Sequence, residues 1–320
     1  MKIAIITGPF PQFAETFIIN QIGDLIDQGI EVSIFAFGPG DASFIHRRYD
    51  QYRMREFTAD LEPPKNLVQR LLNAFGVACR LVVRNPRVLC RALNLKRHGD
   101  LVRSFRTLFW VAPFVGKSFD IVHCNYGPIA NRYLIIRDML GEPYTSTPFI
   151  TTFYGYDASM KLKEKGLHYY DRLKTEGAFF LTMSEDMKER LVREAGFDPA
   201  KIMPLPAGVD TEHIEWHERH AHPGESTRLV SVGRFTEKKG FDDLLRAVAL
   251  LRKRTRTPFR VTIVGSGHLD AELKALAKKL RVTDIVSFPG RMQPEELFGL
   301  YRGADLYVQA SKVAPNGDRE

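Results

Sequence analysis

The sequence predicts an α/β protein of two domains, each built on a doubly wound parallel sheet. Three observations carry the prediction. Short β-branched runs alternate with helical periodicities in both halves of the chain. Glycines stand where strands hand over to helices, and 320 residues suffice for two cores.

The first half opens with a strand from Lys2 to Ile6 and a loop marked by Gly8-Pro9 and Pro11. A helix follows from Glu15 to Gln28, with Phe17, Ile18, Ile22, Leu25 and Ile26 on its apolar face. Gly29 ends that helix, and Glu31 to Phe37 alternates as a strand. This is the opening of a Rossmann-like unit. Further strands are expected at Phe119–His123, Pro148–Phe153 and Ala178–Met183. Ser184 caps the next helix, with Met187 at its third position. The turn at Phe197-Asp198-Pro199 leads to Ile202 through Asp210.

Between Lys65 and Lys117 stand eleven lysines and arginines against a single acid, Asp100. That exceeds the excess of the whole chain, +8, so the remainder is slightly acidic. The cations alternate with Leu71-Leu72, Phe75, Val77, Leu81-Val82-Val83, Val88-Leu89 and Leu93, the pattern of amphipathic helices with a cationic face. Anionic lipid headgroups or phosphates suit such a face; an ordinary solvated helix face is the alternative. No nucleic-acid-binding motif accompanies the charge, so nucleic acid is not an expected partner.

The start of the chain is too short in apolar residues for a signal peptide, and Thr107–Gly116 is about half a membrane span. A cytoplasmic chain, peripheral on the inner face of the membrane, is expected. Hydrophobic residues at 44% and charged residues at 26% exclude disordered, collagen-like and disulfide-scaffold classes. Cys79, Cys90 and Cys124 match no metal spacing. A shared helix would hold the first two about 16 Å apart, too far for a bridge. Free buried thiols are expected.

His213 to Thr227, rich in His and Glu with Pro223-Gly224, reads as the linker between domains at 1–212 and 228–320. Its histidines (His213, His217, His220 and His222) fit a surface segment rather than a metal site, since no regular element fixes their spacing. The second series has strands at Arg228–Val232, Phe259–Val264, Asp284–Phe288 and Asp305–Ala310. Helices are expected at Phe241–Leu251, at Leu269–Leu280 and from Pro294. Four strands without closing helices leave a sheet face uncovered, and the second domain is expected to be incomplete.

The loop Val232 to Gly240 joins a strand's carboxyl end to a helix's amino end, where anions bind. Arg234 and Lys239 add a fork and a point charge suited to a diphosphate; ordinary surface bases are the alternative. The loop Val264–Asp270 contains Gly265 and Gly267 but has Asp270 where a dinucleotide fingerprint needs a third glycine, which argues against a dehydrogenase. The two glycines suit close backbone approach to a nucleotide or sugar. Gly116-Lys117-Ser118 lacks the earlier glycine of a P-loop, since position 111 is Val. No D-x-D pair is present to hold a metal–diphosphate, so no metal and no cofactor is expected, and Arg and Lys must neutralise the leaving group. In the first half, Tyr154-Gly155-Tyr156-Asp157 leaves a strand end towards the crevice. Asp157 can orient a sugar hydroxyl or cap the following helix, and His123 can be structural or catalytic.

Together these motifs resemble the retaining glycosyltransferases of family 4, which have the GT-B fold of two Rossmann-like domains facing across a cleft. The resemblance is carried by Phe10 to Ile18, Thr152 to Asp157, Pro206 to Asp210, Val232 to Gly240, Ser287 to Gly290 and Ser311 to Glu320, in family order from end to end. Members that build bacterial exopolysaccharides such as colanic acid are most similar. The resemblance implies an acceptor-binding first domain, a nucleotide-sugar-binding second domain, and hexose transfer with retention from a UDP- or GDP-sugar to a lipid-linked or growing glycan. It matches Arg234 and Lys239 to the diphosphate pair, Gly8 to a glycine near the donor phosphate, and Arg291 and Met292 to the base-contacting loop. Glu320 matches the first glutamate of an E-x7-E motif that contacts the donor sugar; its partner would lie past residue 320, so a C-terminally truncated chain is expected. Tyr154 stands where relatives often carry histidine; a phenol can donate to a sugar hydroxyl but is a poor base. The other readings are an inactive sugar-nucleotide-binding scaffold and a nicotinamide-dependent dehydrogenase.

Overall fold

The computed structural model describes residues 1–12, 15–41, 47–209, 211 and 226–318. Phe13, Ala14, Asp210, the four linker histidines and Glu320 lie outside the described residues. The chain divides into two compact units, Met1–Val209 and Asp210–Glu320.

In the first unit, β1 (Lys2–Thr7) leads through α1 (Thr16–Asp27) to β2 (Glu31–Ala36), then α2 (Arg47–Gln51) and β3 (Thr58–Asp60). A run of helices follows: α3 (Leu67–Arg84), α4 (Pro86–Ala92), α5 (Leu95–His98), α6 (Asp100–Arg103) and α7 (Arg106–Val111). The unit continues with β4 (Ile121–Asn125), α8 (Gly127–Leu140), β5 (Phe149–Phe153), α9 (Met160–Lys165) and α10 (Asp171–Glu176). It ends with β6 (Phe179–Thr182), α11 (Glu185–Ala195) and β7 (Ile202–Pro204). All seven strands are parallel, in the order β3-β2-β1-β4-β5-β6-β7.

Alternation along β1 fills both faces of this sheet. Ile3 and Ile5 pack with Ile18, Ile19 and Ile22 of α1, while Ala4 and Ile6 join the larger core containing α8. α8 is buried along most of its length, through Ile129, Ala130, Tyr133, Leu134 and Ile136. Ser184 caps α11 as expected, its hydroxyl accepting from the Met187 amide at 3.2 Å. Gly196 ends that helix in the left-handed region at φ 69°.

Three details differ from the sequence expectation. The edge strands β3 and β7 are only three residues each, too short to leave a periodicity, and β7 tolerates Pro204 because it is an edge. Cys79 and Cys90 do not share a helix, because Asn85 ends α3 and caps α4, with Pro86 in the first turn. Both thiols are exposed rather than buried; Cys124 alone is buried.

The second unit contains β8 (Thr227–Val232), α12 (Phe241–Arg254), β9 (Phe259–Val264), α13 (Asp270–Lys279), β10 (Val286–Gly290), α14 (Pro294–Gly303) and β11 (Leu306–Tyr307). The parallel order is β10-β9-β8-β11. β10 is displaced two residues along from the expected strand, and β11 is confined to two exposed residues paired with Leu229 and Val230. Phe235, Leu245, Ile263 and Val282 are fully buried in this unit's core.

Candidate functional site

In each unit the chemistry-bearing residues gather at the carboxyl ends of the strands. In the first, β1 adjoins both β2 and β4, so strand order reverses there, the position where open α/β sheets bind ligands. Thr7 and Gly8 leave β1 at this point, Asn125 and Tyr126 leave β4, and Tyr154 leaves β5.

Tyr154 donates its phenol to Asn125 Oδ1 at 2.7 Å, and burial raises its pKa well above the usual tyrosine range. It is therefore no base, and with its one proton committed it can only accept from a sugar hydroxyl. Tyr126, whose backbone is left-handed at φ 75°, donates to Glu15 Oε1 at 2.9 Å. Its ring lies 4.7 Å from that of Tyr154, which in turn lies 4.7 Å from Phe17. Thr7 Oγ1 and Asn125 Nδ2 are buried with no hydrogen-bond partner among the described residues. Sequence reasoning did not single out Glu15, Asn125 and Tyr126 as site residues. Glu15 lay within a quoted motif, whereas nothing in composition marks Tyr126's backbone conformation.

Asp157 is corrected. It is fully buried, and the following α9 has Ser159 at its N-cap with no side-chain cap. Its carboxylate accepts from Tyr154 N at 2.9 Å, Gly155 N at 3.1 Å and Gly127 N at 3.0 Å, the last being the amino end of the preceding α8. Both oxygens accept from the backbone, so Asp157 shapes the Tyr154 turn. Burial raises its pKa to about 6, against the lowering effect of those three amides.

His123 is a structural histidine. It is buried, with Nε2 2.7 Å from Thr152 Oγ1, and burial lowers its pKa to about 4. A histidine depressed from 6.5 contributes stability that is complete above pH 6.5 and is lost as pH falls towards 4. Asp157 acts oppositely, favouring the fold as pH falls from 6 to 3.8, so the two partly cancel in the parent protein. The difference between parent and His123→Gln isolates the histidine. Denaturant unfolding should show that difference shifting by roughly 3 kcal/mol against the parent between pH 7 and pH 4.

In the second unit three loops are stitched together. Gly233 N donates to Val264 O at 3.0 Å, Phe235 N to Ser266 O at 2.9 Å, Leu269 N to Phe235 O at 3.2 Å, and Gly265 N to Gly290 O at 2.8 Å. This explains the two glycines differently from the sequence expectation. A Cβ at Gly265 would lie 1.9 Å from Gly233 O, and one at Gly267 would lie 2.4 Å from Phe235 O. Both residues are small so that loop can pack on loop; close approach of a ligand is not needed to account for them.

Arg234 is exposed on this platform, and the Lys239 stem folds back over Gly233. Lys238 is instead buried and paired with Asp318 at 3.3 Å. Arg291 is exposed and its Nε donates to Ser266 Oγ at 2.6 Å, beside the half-buried Met292. The first turn of α12 carries Asp242 and Asp243, both bonded by Lys312 at 2.7–2.8 Å. An anion at this helix start meets carboxylates already neutralised by Lys312, a role not anticipated from the sequence. Among the described residues no cluster of His, Cys, Asp and Glu could hold a metal ion.

Two sequence profiles match the chain: Glycosyltransferase Family 4 over residues 14–213, and Glycosyl transferases group 1 over residues 212–317. The putative colanic acid biosynthesis glycosyltransferase WcaL of Salmonella typhimurium is 29% identical over 326 residues, covering 100% of this chain and 78% of that protein. The amylovoran biosynthesis glycosyltransferase AmsK of Erwinia amylovora is likewise 29% identical, over 330 residues, with the same coverage. Among solved structures, Anabaena Alr3699/HepE in complex with UDP superposes with a TM-score of 0.60 at 13% identity, covering 98% of this chain and 75% of that one. The two parallel-sheet α/β units have the GT-B fold.

Proposed function

The chain belongs to Glycosyltransferase Family 4, and from that premise we propose that it moves a hexose from a UDP- or GDP-sugar, with retention, to a lipid-linked or growing polysaccharide. The observation that carries the proposal is the platform of three stitched loops at the carboxyl ends of β8, β9 and β10, which presents the cations Arg234 and Lys239. A departing nucleoside diphosphate develops negative charge, and fixed cations at that point stabilise it without reorganisation. Lacking a D-x-D pair, the chain uses these cations in place of a metal. The UDP in the HepE complex supports a nucleotide-sugar donor, and the colanic acid and amylovoran names of WcaL and AmsK support a polysaccharide acceptor. Met292 and Arg291 contact the base, and Glu320 contacts the donor sugar. The first unit holds the acceptor around Glu15, Tyr126 and Tyr154, and the basic stretch 65–117 rests on the inner, anionic leaflet that presents a lipid-linked acceptor.

Incubating the protein with radiolabelled UDP- and GDP-hexoses and a lipid extract tests this: label should pass to the lipid or glycan fraction from one donor class. Label remaining in the nucleotide sugar with every donor would reject it. Gly8 provides a second check. Among the described residues a Cβ there meets no atom within 4 Å, so Gly8→Ala should leave the fold intact. With a donor phosphate packed against that backbone, the same change should lower turnover by at least about tenfold, read by initial rates.

A further inference from the structure

We infer that the outer face of α3 is a membrane-insertion surface that enters the acyl boundary of an anionic bilayer. The inference rests on the membrane contact just proposed and changes its mode. α3 packs through Ala74 and Leu81 on the core, yet Leu67, Leu71, Leu72, Phe75, Val82 and Val83 all point outward. Leu72, Phe75 and Val83 are 68%, 72% and 83% exposed. At the helical repeat these six fall within an arc of about 160° and run some 24 Å along the axis. The sequence reading assigned lipid contact to cations; the structure adds an apolar face large enough to engage the hydrocarbon directly.

Charge identifies the occupant. Lys65, Arg80, Arg84, Arg87 and Lys96 are exposed, and none is paired with a carboxylate among the described residues. A second copy docking through the same face would set like charges against one another, since a two-fold interface repeats each patch on itself. An anionic lipid surface satisfies both the apolar arc and its cationic flank. No helix among the described residues is long and apolar enough to cross a membrane, so α3 would lie in the interface plane.

The test is co-sedimentation of the full chain with vesicles of phosphatidylcholine, alone or with one-third phosphatidylglycerol. It needs neither donor nor turnover, so it stands apart from the glycosyl-transfer assay. The anionic vesicles should bind the parent chain, and Leu72→Gln/Phe75→Gln/Val83→Gln should lower partitioning at least about tenfold with an unchanged melting temperature. Cys79 lies within the same arc and is exposed. An environment-sensitive dye on Cys79 in a Cys90→Ser background should shift to the blue and be quenched by brominated lipid. Undiminished binding by the apolar variant, with the dye still in water, would overturn insertion and leave a purely electrostatic contact. Failure of the parent to bind either vesicle would overturn both. A dimer that the apolar variant converts to monomer would assign the face to a second copy and overturn insertion.

Discussion

Arg234→Ala/Lys239→Ala is expected to lower glycosyl transfer by at least about 10³-fold while leaving the melting temperature unchanged. Arg234 is exposed, and the Lys239 stem folds over Gly233. Their position is fixed, because Gly233 and Phe235 are bonded to the Val264 and Ser266 carbonyls. Cations fixed in this way stabilise a diphosphate most when its charge is fully developed, in the transition state. The loss should therefore appear chiefly in kcat, with a smaller rise in KM. Single variants should fall between parent and double variant without adding, since both act on one leaving group. Arg234→Lys should recover only part of the activity, because a point charge does not replace a two-pronged donor. Initial rates across a donor titration check this; a double variant of parental kcat would remove the platform from the mechanism.

The largest stability effect is expected at Asp157. Asp157→Ala should cost about 3–5 kcal/mol in denaturant unfolding, because it orphans three backbone amides at once, the buried ones of Gly127 and Gly155 and the half-buried one of Tyr154. The same change frees the amino end of α8, which passes through the centre of the first unit's core. Tyr170, whose phenol donates to the Asp157 carbonyl at 2.9 Å, keeps its bond, so the loss belongs to the carboxylate. The parent's pH profile carries a second signature. A carboxyl raised from 3.8 to about 6 favours the fold most below pH 3.8, and that contribution is withdrawn as pH rises to 6. Asp157→Asn should lose that slope while retaining part of the stability, since one carbonyl oxygen still accepts.

The architecture was legible because a parallel sheet covered on both faces writes itself in continuous apolar strands, such as Ile3 to Ile6, separated by amphipathic helices. Caps were legible where one side chain does the work, as Ser184 does for Met187. What escaped were features fixed by contacts distant in sequence. Gly265 and Gly267 read as room for a ligand, and nothing local showed that they also pack on Gly233 and Phe235 some thirty residues earlier. Asp157 reads as a local cap, but its third amide comes from Gly127. Lys312 gives no local sign that it neutralises Asp242 and Asp243. The apolar residues of α3 looked like half of an ordinary amphipathic helix, and only the packing of Ala74 and Leu81 shows which half faces outward.

The most direct test of the central claim is calorimetric titration of the protein with UDP, GDP and NAD, repeated on Arg234→Ala/Lys239→Ala. Saturable binding of UDP or GDP, weakened at least about tenfold in the double variant, with no heat from NAD, is the expected result. Binding of NAD, or binding of UDP and GDP indifferent to both substitutions, would contradict a sugar-nucleotide transferase built on this platform.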